Sequence, residues 1–491
     1  MQIKDLLIRQ KDNDKKAIIY GSHSITYNDL YKKVTSVTAY IENESKEFRN
    51  IGIFIHNSIN YVISYFSITF LDKVIVPINP REKKNELTST IEYCELGLII
   101  TDSNNADLIR KYLKDCTFPV KVFNIDTMNF EKIERELELP ISYQNDDLKN
   151  VALLLHTSGS LSIPKRVMLT HENLISCVKS IIKSLELKTD DRTLIALPMF
   201  LASANTSQML THIYLGASII IMDALFTPGY LLYMVEKHKV TNFTGVPYMV
   251  LLLIEYKKVK IYDISSLNFV CFGGAPTPEK KIEELINTFP EIKFIHMYGQ
   301  TEASTRISHL LPSDSIRKVG SVGKPIPGVG LRIVDEHGID VHAGEVGEVI
   351  VKGSNVMKGY YKRSEQTLQT IKDGWLYTGD MGKLDGEGFL YIVGRKKNII
   401  IKGGMNIYPE EIEEVLLLHP YIKEACVFGE SDEILGEIPI ARVVLEEDAF
   451  DLSEDDIKKY CFKSLTSFKL PSRIVFVNKI IKTYSGKIKR V

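Results

Sequence analysis

Apolar and polar positions follow two alternating rhythms along the N-terminal part of the chain. Asn50–Ile55, Val74–Val76 and Leu96–Thr101 are short continuous apolar runs, as buried strands are. Tyr61–Phe70 and the stretch that ends at Cys94 fall between them with helical spacing. Such alternation predicts parallel sheets covered by helices. Thr26-Tyr27-Asn28-Asp29 has the spacing of a capping box and predicts a helix start. The longest apolar runs, Gly216–Met222 and Met249–Ile254, read as buried strands or as core faces of helices.

The rhythm changes after about residue 320, where short strand-like runs are separated by Gly320, Gly323, Gly328, Gly330, Gly338, Gly344, Gly347 and Gly353, predicting a small β-rich subdomain. It changes again near Gly394-Arg395-Lys396-Lys397. Beyond that point Pro409–Leu418 is acidic and helical, Cys426–Phe428 and Ile440–Leu445 are strand-like, and Ser453–Leu465 is helical. The expected fold class is therefore α/β. Residues 1–395 form a large domain of stacked αβ layers with the β-rich subdomain, and residues 396–491 a small α+β domain of about 95 residues.

Composition narrows the partners. The chain has 491 residues, 44% hydrophobic and 25% charged, with a formal net charge of −1, which argues against binding nucleic acid through bulk positive charge. The six cysteines show no CxxC spacing, so buried free thiols of a reducing cytoplasm are expected rather than a zinc or redox pair. The N-terminus is polar and charged from the start, unlike a secretory leader, and no apolar run reaches the ~20 residues that span a bilayer. A cytoplasmic location without a membrane span follows as the expectation.

Five segments carry candidate chemistry. Strand-like Val151–Leu155 runs into Thr157, Ser158 and Ser160, with Pro164 stiffening the approach to Lys165. Hydroxyls, loop amides and a lysine suit phosphate groups, although GxxxxGK[ST] is absent and a polar surface loop reads the same way. Phe272-Gly273-Gly274-Ala275-Pro276 offers small residues that let a flat ring approach the backbone. Met297-Tyr298-Gly299-Gln300-Thr301-Glu302 sets a hydroxyl beside a carboxylate, which suits phosphate with Mg²⁺. Gly374-Trp375-Leu376-Tyr377-Thr378-Gly379-Asp380 places an acid in a glycine-bounded turn, either to take both hydroxyls of a ribose or only to form the turn. Ser485-Gly486-Lys487 lies in a basic tail that is either solvated or able to extend the lysine into a cleft.

Taken in order, His156-Thr157-Ser158-Gly159-Ser160 with Pro164-Lys165, Tyr298-Gly299-Gln300-Thr301-Glu302, Tyr377-Thr378-Gly379-Asp380, Gly394-Arg395 and Ser485-Gly486-Lys487 resemble the adenylate-forming superfamily of acyl-CoA synthetases, adenylation domains and luciferases. The resemblance implies two steps: a carboxylate attacks the α-phosphate of ATP and pyrophosphate leaves, then a thiol attacks the acyl adenylate and AMP leaves. It implies that Thr157, Ser158, Gly159, Ser160 and Lys165 hold the β- and γ-phosphates, that Glu302 ligates Mg²⁺, and that Thr301 contacts the α-phosphate. Gly274, Ala275 and Pro276 would flank adenine, with Tyr298, Gly299 and Gln300 beside it and Tyr298 stacking. Asp380 and Arg395 would fix the ribose, and Lys487 would bridge the substrate carboxylate and the α-phosphate. The small domain would turn about Lys397, and Gly403 and Gly404 would line the path of the thiol, as in the bacterial acyl-CoA ligase form.

Two departures qualify the resemblance. Leu161, Ser162 and Arg166 stand where the family has a hydroxyl and glycines, so Arg166 either adds a phosphate contact or the loop grips more weakly. Leu197–Ala204 has Leu201 where relatives often carry histidine, and the aspartate that holds an α-amino group is missing, which points to an apolar acyl or aryl acid. The expected thiol is that of CoA. A carrier protein's phosphopantetheine is the first alternative, and a nucleotide-binding homologue with weakened turnover is the second.

Overall fold

The computed structural model describes all residues except 115, 117, 132–147, 157–164, 448, 450–451, 483–487, 489 and 491. Its described strands form four sheets. The first has Asn50–Phe54 at its centre, flanked in parallel by Val74–Pro77 and Leu96–Thr101, with Val151–His156 parallel to Val74–Pro77 and Arg166–Thr170 returning antiparallel beside it. The second holds six parallel strands in the spatial order Lys293–Tyr298, Phe269–Gly273, Asn242–Gly245, Arg192–Ile195, Ser218–Ile221, Lys16–Tyr20, with antiparallel strands at both edges.

These two sheets stack through helices. The Ile59–Phe70 helix is buried along nine consecutive residues, Tyr61 to Thr69. A helix apolar all round has to lie inside, and this one packs against strands of both sheets. Its polar side chains are satisfied locally: Ser64 donates to the Asn60 carbonyl at 2.8 Å, and the Tyr61 hydroxyl to the Met199 carbonyl at 2.9 Å. Tyr27–Glu42 covers its outer side, and Thr26 caps that helix by accepting from the Asp29 amide at 3.1 Å, as the spacing predicts. Of the two ambiguous apolar runs, one contains the strand Ser218–Ile221 and the other lies in the helix Pro247–Glu255.

The glycine-rich region forms the third sheet, antiparallel, from Val329–Val334, Gly347–Gly353, Ile371–Lys372, Trp375–Leu384 and Leu390–Arg395. The fourth begins at Ile400–Lys402 and shares no described strand with the others. It joins Met405–Ile407, Ile422–Asp432, Gly436–Leu445 and Arg473–Phe476, with the helices Pro409–Leu417 and Glu454–Phe462 on a separate small core. All six cysteines are free and buried. Among the described residues no helix is long and apolar enough to cross a membrane.

Three buried histidines make the large part of the chain acid-sensitive. Burial takes the imidazoles of His212 and His296 down to about 4, and burial with Arg306 beside it takes His309 to about 3. His212 and His296 each hold a backbone carbonyl through Nδ1, at 2.8 Å from Gln208 and 3.0 Å from Ser321. In the unfolded chain each imidazole takes up a proton near 6.5. As pH falls below that value the unfolded state binds protons that the folded state does not, so stability falls. At pH 5 the loss is about 2 kcal/mol per histidine. Denaturant midpoints measured from pH 7 to pH 5 are expected to drop steadily; a flat profile would contradict neutral buried imidazoles.

Candidate active site

The parallel strands Phe269–Gly273 and Lys293–Tyr298 run side by side in the second sheet and end together. Ligands of open α/β sheets bind beyond the carboxyl ends of such strands. The two backbones approach there so closely that a Cβ on Gly273 would stand 2.1 Å from the Met297 carbonyl oxygen. Gly274 then turns with φ +88° and has nothing within 4 Å of its Cβ position, leaving an open ledge beside Ala275 and Pro276.

The next strand ends in a tight, strained turn. A Cβ on Gly299 would meet the Thr305 carbonyl oxygen at 2.0 Å, and Ser304 and Thr305 adopt positive φ, at 54° and 98°. Residues other than glycine hold such angles only where the surroundings enforce them. Here Asn355 does so, donating from Nδ2 to the carbonyls of Ala303 at 3.2 Å and Arg306 at 3.1 Å, while Ser304 Oγ donates to the Asn355 carbonyl at 2.7 Å. The turn carries Thr301 and Glu302 into a short 3₁₀ segment. Glu302 Oε1 accepts from the Tyr360 hydroxyl at 2.9 Å, and the Lys165 ammonium stands 4.4 Å over the Tyr360 ring. Tyr360 thus brings the lysine just before the strand Arg166–Thr170 to the carboxylate on the 3₁₀ segment past Lys293–Tyr298. No sequence motif points to it; its position follows from the pairing of Gly359–Tyr360 with Val167–Met168.

Asp380 lies where the third sheet meets this edge. The ladder between Gly347–Gly353 and Trp375–Leu384 is irregular here, with Gly379 at φ +71°. Asp380 is 3% exposed. Its Oδ1 receives Arg395 Nε at 2.6 Å and its Oδ2 the Tyr298 hydroxyl at 2.6 Å. Asp380 and Arg395 are direct cross-strand partners, so the pair is set by register. Burial and the adjacent carboxylate push the Tyr298 phenol well above its ordinary range, so it stays a neutral donor. Next along the chain Lys396 Nζ meets Glu348 Oε2 at 2.7 Å, and Gly379, Arg395, Lys396 and Lys397 line an open cleft of about 320 Å³.

Lys397 is exposed on the short 3₁₀ turn Lys396–Asn398 that leads into the last sheet. Gly403 and Gly404, both at positive φ, form the exposed two-residue turn of the hairpin between Ile400–Lys402 and Met405–Ile407. Thr157, Ser158, Gly159, Ser160, Leu161, Ser162, Pro164 and Lys487 lie outside the described residues. Arg166 does not extend toward the Lys165 side. It is 2% exposed and donates from Nη2 to Thr90 Oγ1 at 2.8 Å. Burial pushes the nearby Glu82 carboxyl up and Arg166 draws it back down. Among the described residues the side-chain contact of Arg166 is therefore internal, not toward Lys165.

The segment after Arg192–Ile195 opens toward the same sheet edge. Asn57 brackets it, receiving the Met199 amide at 2.7 Å and donating to the Leu197 carbonyl at 2.8 Å. It continues into a π-helix, Ser203–Leu210, a form frequent at functional sites. Thr206 Oγ1, Ser207 Oγ and Gln208 Oε1 are buried there without a hydrogen-bond partner among the described residues.

The donor set fits a magnesium nucleotide. Mg²⁺ keeps several waters and needs only one or two carboxylates besides the phosphates. Glu302 supplies one carboxylate, and no cluster of three His, Cys, Asp or Glu that could hold a metal by itself occurs among the described residues. The ledge at Gly274 leaves room for a planar base.

Comparison with known proteins matches this geometry. The family described as AMP-binding enzyme covers residues 8–361, and the AMP-binding enzyme C-terminal domain covers 411–487. A 2-succinylbenzoate–CoA ligase of Bacillus cytotoxicus is 31% identical over 484 residues, 97% of this chain and 95% of that protein. The o-succinylbenzoate CoA synthetase of Bacillus subtilis has been solved with the acyl-adenylate intermediate OSB-AMP. It superposes with a TM-score of 0.86 at 28% identity, covering 99% of this chain and 97% of that one. The same enzyme with ATP and magnesium ion gives 0.86 and 28%, covering 99% and 98%. The chain belongs to the AMP-binding enzymes, the adenylate-forming family that its ordered motifs resemble.

Proposed function

We propose that this chain joins 2-succinylbenzoate to CoA by way of an acyl adenylate. The carrying observation is similarity along nearly the whole chain, across both family regions, to ligases named for that acid. ATP-dependent, AMP-forming acid–CoA ligation is the activity of the chain; the identity of the acid is the proposal. A keto diacid with an aryl ring also agrees with a pocket segment that lacks an ammonium-holding aspartate and buries hydroxyls among apolar side chains.

In this reading the adenine lies on the Gly274–Pro276 ledge beside Tyr298, and Asp380, held by Arg395, takes the ribose hydroxyls. Lys165 and the preceding hydroxyl loop receive the β- and γ-phosphates. Mg²⁺, bound with the nucleotide, would spread the negative charge of those phosphates. Glu302 is kept in place for the ion by Tyr360, and Thr301 lies next to it for the α-phosphate. The substrate carboxylate attacks the α-phosphorus, a C–O–P mixed anhydride forms, and the bond to the pyrophosphate breaks. Two anions must meet in this step, so an aimed cation is the main need, and Lys487 supplies it. The unit from Lys396 onward turns about Lys397, a reading supported by a fourth sheet that shares no described strand with the rest. The CoA thiol then attacks the acyl carbon along a path past Gly403 and Gly404, and AMP leaves.

Pyrophosphate exchange and thioester formation, measured over a panel of acids, test the proposal. 2-Succinylbenzoate with CoA is expected to outrun benzoate and a straight-chain fatty acid, and a pantetheinylated carrier is expected not to replace CoA. Preference for another acid would overturn the assignment. Lys487→Ala is expected to slow adenylation by roughly 10²–10³, the scale of losing an aimed donor; near-full exchange would refute its role. Asp380→Ala is expected to raise the KM for ATP by about tenfold or more, since one carboxylate bond to a substrate is worth about 1.5–3 kcal/mol. An unchanged KM would move the ribose site elsewhere.

A further inference from the structure

Lys482 and Ile488 form an antiparallel bridge. Its two sides are held unequally. Lys482 Nζ meets Glu424 Oε1 at 2.9 Å, with both side chains about a third exposed, so that contact is weak. On the other side Arg490 is 17% exposed and makes four contacts. Its Nη2 reaches Glu413 Oε1 at 2.9 Å and Oε2 at 2.7 Å, and Glu410 Oε1 at 3.1 Å, while Nε donates to the Val427 carbonyl at 3.0 Å. Charge-assisted contacts of this kind, largely out of water, are the strong ones.

The two glutamates stand on the Pro409–Leu417 helix and have further ties. Glu413 Oε1 accepts the Val427 amide at 2.7 Å, so Glu413 and Arg490 together take both backbone groups of Val427, on an edge strand of the last sheet. Glu410 Oε1 also faces Asn398 Nδ2 at 3.3 Å, and its Oε2 lies 2.5 Å from where a Cβ on Gly394 would stand. Gly394 and Asn398 flank the Arg395–Lys397 connection on both sides. One helix turn therefore holds the chain entering the last domain and the chain just past Lys487.

We propose that Arg490 is a positioning residue for adenylation: through Glu413 and Glu410 it fixes the chain just past Lys487 to the helix next to the hinge, so that this part of the chain turns with that helix. The proposal rests on the role given above to Lys487. A lysine whose chain is tethered on one side only would reach the two anions in a small fraction of its conformations, and misplacement of about 1 Å can cost about a hundredfold.

The test compares Arg490→Gln, Arg490→Lys, Lys487→Ala and the double variant Lys487→Ala with Arg490→Gln in the full chain. Arg490→Gln is expected to lower kcat for pyrophosphate exchange by about 10- to 100-fold with the KM for ATP unchanged. Thioester formation from supplied acyl adenylate is expected to stay within about twofold, which general damage to the domain would not allow. The double variant is expected to be no slower in exchange than Lys487→Ala alone, because both changes remove the same cation. Arg490→Lys keeps the charge but not the fork and is expected to fall between. It carries the same comparison if Arg490→Gln does not fold. Exchange at the parental rate in the Arg490 variants, beside an impaired Lys487→Ala, sinks this proposal alone, as do effects that multiply in the double variant. Full exchange by Lys487→Ala removes the earlier reading and this proposal with it.

Discussion

A buried carboxylate held by two donors is the constraint around which this molecule is arranged. Asp380 stands almost out of solvent between Arg395 and Tyr298, at 2.6 Å from each. The three residues come from two different sheets, so the contact fixes the antiparallel subdomain against the carboxyl edge of the parallel one. A buried charge is tolerated only with partners, and loss of Arg395 would leave the Asp380 carboxylate without its countercharge. The same contact places Arg395 one residue before the connection to the last domain. The proposed ribose contact and the proposed hinge therefore lie beside one ladder pair.

The rest of the site is set by backbone shape. Gly273 and Gly299 are sites of close approach, where a Cβ would overlap a carbonyl oxygen at about 2 Å. The positive φ values of Ser304 and Thr305 are sustained by Asn355, in the turn just after Gly347–Gly353. Strain at that turn is the cost of presenting Thr301 and Glu302 beyond the strand end. Tyr360 completes the arrangement by joining Glu302 to Lys165 across the gap between the first two sheets. This is preorganisation in the ordinary sense: the groups that would meet phosphate charge are oriented by contacts made elsewhere in the fold.

Similarity over both family regions establishes the chemistry of acid activation and transfer to CoA. The geometry adds how two of the groups proposed to meet phosphate are placed: Lys165 and Glu302 are held by Tyr360, and Arg166 faces inward to Thr90.

The order of strands and helices was legible in the sequence because it depends on periodicity over a few residues. The Thr26 cap, the acidic Pro409 helix and the strands before each glycine turn are local events, and their boundaries shift by only a few residues between expectation and structure. The ordered motif segments that carry Glu302, Asp380 and Arg395 were legible because their residue types recur in sequence order. What pairs with what was not. Tyr360 with Glu302, Arg166 with Thr90 and Arg490 with Glu413 join residues 58, 76 and 77 positions apart. Those contacts arise when sheet register and layer stacking bring distant segments together, and no short-range pattern records which face of a strand will find its partner there.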